Sequence, residues 1–156
     1  MEIKRIITVT VLNEHGVLSR ISGLFAGRGY NIESLSVAPI LDSNLSRVTI
    51  STKGDEKVLE QIIKQLHKLI PVLKVLEDEQ ITEQEALMVK FSSESALSEL
   101  CTIFASYNGK MLEVSEKSAI FMACDTHQRI NALLNAIKIY KPKDITRSGI
   151  MAIETN

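Results

Sequence analysis

The chain has 156 residues, of which 45% are hydrophobic and 24% charged, with a formal net charge of −1. That length suits one medium domain or two small ones, and the even mixture of signs leaves no basic face or tail for nucleic acid. Aromatic residues make up only 4% and Trp is absent, and the strand Arg47–Ser51 and its neighbours offer no aromatic platform for stacking bases. No apolar run approaches the ~20 residues of a membrane span.

Ile7, Val9 and Val11 alternate with Thr8 and Thr10, the pattern of a half-buried strand. Asn13-Glu14-His15-Gly16 breaks it. Val17, Leu18, Ile21, Leu24 and Phe25 then form one apolar stripe of a helix that Gly27 and Gly29 end. Ile32–Val37 and Arg47–Ser51 read as strands. Gly54-Asp55 opens a second helix with Val58, Leu59, Ile62, Ile63 and Leu66 on its apolar face, and Val72–Leu76 follows Pro71 as a strand. The order is βαββαβ, the ferredoxin-like unit.

Glu77 to Glu85 is acidic and polar and reads as a linker. Beyond it the order repeats. A strand at Leu87–Phe91 precedes a helix bearing Ala96, Leu97, Leu100, Cys101 and Phe104. Strands at Lys110–Val114 and Ser118–Cys124 follow, then a helix with Ile130, Leu133, Leu134 and Ile137. Short strands at Ile145–Arg147 and Ile150–Ile153 close the chain. At a constant offset Leu18-Ser19 matches Leu97-Ser98, Ile21 matches Leu100 and Phe25-Ala26 matches Phe104-Ala105, which points to duplication. The expected organisation is α+β: a first ferredoxin-like domain at 1–78, a linker at 79–85 and a second at 86–156.

Chemistry is sparse. Cys101 and Cys124 have no metal-ligand spacing and read as small buried apolar residues. His15, His67 and His127 read as surface or capping groups. No Ser/His/Asp or Cys/His set, Walker loop or GxGxxG before a helix is present. Met1-Glu2-Ile3-Lys4 runs straight into a strand without a leader pattern, which sets the expectation of a soluble cytoplasmic protein.

The turn before the first helix is the best candidate site. A helix start presents unpaired N–H groups and a partial positive charge, suited to a carboxylate. The N–H groups of Gly16, Val17 and Leu18 would face it. Asn13 and Asn31 carry amides that donate to a carboxylate and accept from an ammonium, and Val17, Leu18 and Ile32 supply an apolar wall. Together these describe an amino-acid pocket. A plain Asn-x-x-Gly turn with no ligand explains the same residues.

The stretches Asn13-Glu14-His15-Gly16-Val17-Leu18-Ser19-Arg20-Ile21-Ser22-Gly23-Leu24-Phe25 and Arg28-Gly29-Tyr30-Asn31-Ile32-Glu33-Ser34-Leu35 resemble the ACT domain of the acetolactate synthase (acetohydroxyacid synthase) regulatory subunit. Leu45-Ser46-Arg47-Val48-Thr49-Ile50 and Gly54-Asp55-Glu56-Lys57-Val58-Leu59-Glu60-Gln61-Ile62 support the resemblance, which covers residues 3–76 closely; the second half shares mainly Arg147-Ser148-Gly149. The resemblance implies a non-catalytic ACT-domain homodimer that activates a catalytic subunit carrying thiamine diphosphate, Mg²⁺ and FAD, with no cofactor on this chain. It also implies feedback inhibition by valine in branched-chain amino acid biosynthesis. The implied valine contacts are Asn13, His15, Gly16, Val17 and Leu18 of one chain with Asn31 and Ile32 of the facing chain. His15 stands where many members have Pro or a small residue. The competing readings are a tandem-ACT sensor for another partner, a ferredoxin-like metal carrier or RNA binder, and a small enzyme of that fold.

Overall fold

The computed structural model describes residues 1–156, the side chain of Asp78 excepted. The chain forms two compact units, one of Met1–Thr82 with Gly149–Asn156, the other of Glu83–Ser148.

In the first unit β1 (Glu2–Leu12), α1 (Val17–Ala26), β2 (Ile32–Pro39), β3 (Leu45–Asp55), α2 (Glu56–Lys68) and β4 (Val72–Glu77) follow the expected βαββαβ order. The sheet runs β2-β3-β1-β4 and is antiparallel throughout, leaving β2 at an edge. Alternation places Ile7, Val9 and Val11 of β1 with Val48 and Ile50 of β3 on one face. Val17, Ile21 and Phe25 of α1 and Leu59, Ile62, Ile63 and Leu66 of α2 pack onto it. Each such side chain contributes about 1.5–3 kcal/mol on burial. The opposite face carries hydroxyls in cross-strand pairs, Thr8 with Thr49 at 3.3 Å and Ser34 with Ser51 at 2.7 Å.

The second unit repeats the pattern with β5 (Ile81–Ser92), α3 (Leu97–Ala105), β6 (Gly109–Val114), β7 (Ser118–Asp125), α4 (His127–Ile137) and β8 (Asp144–Arg147) in sheet order β6-β7-β5-β8. Its core centres on Phe91, Phe104 and Phe121, with ring centroids 4.9 to 6.2 Å apart. No helix among the described residues is long and apolar enough to cross a membrane.

Two boundaries differ from the sequence expectation. Residues 79–85 are no linker: a short 3-10 turn, Asp78–Gln80, leads directly into β5. The acidic residues that suggest solvent have partners, because Glu83 accepts from the His127 N–H and Glu85 is bound by Arg147 and His127. The last residues also leave the second unit. In Gly149–Asn156, which includes β9 (Met151–Glu154), Ile150 and Ala152 are buried, Glu154 pairs with Lys74, and the Thr155 N–H donates to Gln80 O at 2.9 Å.

Candidate functional site: two half-sites at opposite ends of the ACT sheet

The first half-site is the turn after β1. The Asn13 N–H donates to Asn44 O and the Glu14 N–H to Leu12 O, both at 2.9 Å. Gly16 then takes the left-handed conformation, φ 80° and ψ −2°, and its carbonyl accepts from the Arg20 N–H at 3.1 Å to start α1. Among the described residues no side chain caps α1, and its first turn holds no acidic residue. The other helices are served differently. Asp55 Oδ1 accepts from the Lys57 N–H at 2.9 Å on α2 and Thr126 Oγ1 from the Arg129 N–H at 3.3 Å on α4; α3 also has no side-chain cap but carries Glu99 in its first turn, so α1 alone lacks both among the described α-helices. The exposed start of α1 therefore keeps orphan donors and an uncompensated positive dipole end.

A Cβ at Gly16 would meet nothing within 4 Å, so space lies open above the turn. Asn13, His15 and Leu18 are exposed, and Leu18 is the apolar side chain that faces outward. Val17 departs from the expected apolar wall: it is only 5% exposed and packs in the core, so the N–H is what it can offer. The helix stripe that needs Val17, Ile21 and Phe25 inward fixes this orientation.

The second half-site follows the C-terminus of α1. The Gly29 N–H donates to Ala26 O and the Tyr30 N–H to Phe25 O, both at 3.0 Å, with Gly29 at φ 71°. This is a Schellman cap, in which the left-handed residue satisfies the last helix carbonyls. Asn31 is exposed and Ile32 half-buried where β2 begins, beside a shallow groove lined by Ser22, Phe25 and Tyr30.

The two half-sites do not meet within one chain. Asn13 follows Leu12, which pairs with Leu45 at one end of the sheet, whereas Ile32 pairs with Thr52, opposite Arg5. Strand rises about 3.4 Å per residue, so the stretch from Arg5 to Leu12 separates them by roughly 20 Å or more. A small ligand touching both sets must bridge two chains.

The second unit contains a polar network that the sequence reading missed. Glu85, 2% exposed, is bound by Arg147, and its Oε2 lies 3.1 Å from His127 Nδ1. Asn131 joins them, accepting from Arg147 Nη1 at 2.9 Å and lying 3.0 Å from His127 Nε2. His127 is thus more than a surface or capping group. The only sequence signal was the Glu83-x-Glu85 alternation on a strand. Cys124 also differs from expectation. Ala119, Phe121 and Ala123 take the core side of β7, leaving Cys124 half-buried on the other face, whereas Cys101 packs against the core.

Burial alone would raise the Asp125 carboxyl. Arg129 Nε at 2.6 Å, the Thr126 N–H at 2.8 Å and Asn108 Nδ2 at 3.1 Å outweigh it and hold the carboxyl below its ordinary value. A carboxyl depressed in the folded state stabilises above its unfolded pKa, about 3.9, and that contribution is lost as pH falls through the lower folded value. Asp125→Asn is expected to flatten the acid limb of the unfolding midpoint between about pH 5 and pH 2. An acid limb as steep as the parent's would contradict the assignment.

The family described as "AHAS small subunit-like ACT domain" matches residues 7–74, and that described as "Small subunit of acetolactate synthase" matches residues 84–156. The chain belongs to the acetolactate synthase small-subunit family. It is 42% identical to the acetolactate synthase isozyme 3 small subunit of Escherichia coli K12, over 96% of this chain and 94% of that one. It is 39% identical to the acetolactate synthase small subunit of Buchnera aphidicola subsp. Baizongia pistaciae, over 97% and 98%. The crystal structure of the acetolactate synthase small subunit from Thermotoga maritima superposes with a TM-score of 0.82 at 31% identity, covering 99% of this chain and 98% of that one. The family is that of the regulatory ACT-domain subunit, not the catalytic one. Its two matched regions fall on the two βαββαβ repeats.

Proposed function

We propose that this chain binds a thiamine-diphosphate-dependent acetolactate synthase catalytic subunit in the cytoplasm, raises its activity and makes it sensitive to valine. Thiamine diphosphate, Mg²⁺ and FAD reside on that partner, which carries out the chemistry. Valine binds between two ACT domains. The observation that carries this reading is the uncapped start of α1 behind a left-handed Gly16, with open space above it. The N–H groups of Val17 and Leu18 receive the carboxylate, the amides of Asn13 and Asn31 orient the ligand, and Leu18 and Ile32 contact its side chain.

The edge position of β2 supports a dimer geometry. Val37 on β2 is 49% exposed, and among the described residues no second strand pairs with β2 on its outer side, although Gly149 sits against its Leu35–Ser36 backbone. An unpaired edge is a template for another strand. Two β2 strands joined antiparallel about a two-fold axis place the start of one, with Asn31, beside the end of the other, where Pro39 pairs with Ser46 near the 13–18 turn. That arrangement unites the half-sites. Valine then favours one dimer arrangement in proportion to its differential affinity, and the catalytic partner reads that arrangement.

The test is acetolactate formation from pyruvate by the catalytic subunit, with and without this chain, across a valine titration. Stimulation with valine inhibition is expected. Stimulation without inhibition keeps the subunit role and removes the valine site. No effect of either kind removes both and favours a tandem-ACT sensor for a different partner.

A further inference from the structure

Asn31 is exposed at a chain turn, yet its backbone is held from two sides. Thr52, 0% exposed on β3, donates its Oγ1–H to Asn31 O at 2.8 Å. The bond sits where the β2–β3 register slips between Ile32 and Ser34. On the other side the Tyr30 ring lies across Gly54. A Cβ at Gly54 would come within 2.0 Å of Tyr30 Cε1, so only glycine leaves room for the ring. Tyr30 in turn packs against the core of the first unit.

We infer that Thr52 and the Tyr30–Gly54 contact are positioning elements of the effector site, setting valine affinity through Asn31 without touching the ligand. The inference deepens the proposed function and rests on it. Thr52 is fully buried; its hydroxyl reaches the site through the Asn31 carbonyl, while its backbone lies in register with Ile32. Fixing that carbonyl and the preceding residue narrows the directions the Asn31 amide can take. A site ordered in advance loses less conformational freedom when it binds. The spacing is suited to this: Thr52 and Gly54 lie on β3 beside the start of β2, and β3 itself is held along its length by β1.

The experiment measures the valine concentration for half-inhibition of the reconstituted complex, using full-length variants whose thermal unfolding is followed in parallel. Thr52→Val keeps the shape and removes the donor, and it is expected to raise that midpoint roughly threefold to tenfold. Thr52→Ser restores the hydroxyl and is expected to return it to within about twofold. Gly54→Ala displaces the Tyr30 ring and raises the midpoint too. Asn31→Ala serves as the direct-contact control. If Asn31→Ala shifts the midpoint while Thr52→Val and Gly54→Ala do not, the positioning role is wrong and the effector site stands. If Thr52→Ser shifts it as far as Thr52→Val, or the shifts track lost folding, the hydrogen bond is merely structural and the inference is overturned. An Asn31→Ala midpoint equal to the parent's, or a parent complex indifferent to valine, overturns the site and the inference together.

Discussion

Gly16→Asp is expected to raise the valine concentration for half-inhibition at least tenfold and up to about a hundredfold. Bulk is not the reason, since the space above Gly16 is open. Charge and competition are. A carboxylate at the residue before α1 sits where the ligand carboxylate would sit, and two like charges about 4 Å apart repel by roughly 4 kcal/mol at an effective dielectric near 20, less in an exposed turn. Asp is also a good N-cap, so its own oxygen reaches for the N–H groups that Gly16 leaves vacant. Backbone strain at φ 80° opposes it by about 1–2 kcal/mol. The cap and the strain act in opposite directions on stability, so the unfolding midpoint is expected to move by only a few degrees. Gly16→Ala separates the causes, because it carries the strain without the charge or the cap. A smaller shift for Gly16→Ala than for Gly16→Asp assigns the loss to the anion. Equal shifts assign it to the turn's conformation, and an unchanged midpoint for Gly16→Asp removes the turn from the site.

The repeats were legible because period-2 and period-3.6 patterns survive in both halves. Ile7, Val9 and Val11 on β1 and Leu59, Ile62, Ile63 and Leu66 on α2 take the core positions their spacing assigns. The residues of the candidate site were legible as a helix start and a strand start, but not the depth of each. Val17 turns inward because the same spacing that made it a candidate also makes it a core residue. What local patterns missed is long-range pairing. The acidic run at 77–85 looks solvated until Arg147 and His127, far along the chain, are brought to Glu85. The Tyr30–Gly54 contact was equally hidden, since a glycine within a strand gives no sign of which ring will cover it.

Arg147→Ala is expected to destabilise residues 83–148 by about 3 kcal/mol. Glu85 is 2% exposed, and without Arg147 its carboxylate keeps only His127 as a side-chain partner among the described contacts. Removing one partner of a buried pair leaves an uncompensated charge, which costs more than the pair contributes. For a unit of this size such a loss lowers the midpoint of its calorimetric transition by roughly 10–20 °C. The cost spreads to Asn131, which loses the Arg147 Nη1 donor at 2.9 Å and retains His127 Nε2 at 3.0 Å. The single change therefore loosens three elements at once: β5 through Glu85, α4 through Asn131 and β8 through its own last residue. Replacing both charges, Glu85→Leu with Arg147→Met, removes the unpaired carboxylate and is expected to recover most of the loss. The double-mutant cycle decides the role of the network. Strong coupling with a stable double variant means that the charges fix which strands and helix meet, while the apolar core around Phe91, Phe104 and Phe121 holds the unit folded. A single Arg147→Ala variant within about 0.5 kcal/mol of the parent would show that water solvates Glu85 in its place, and that the network holds nothing.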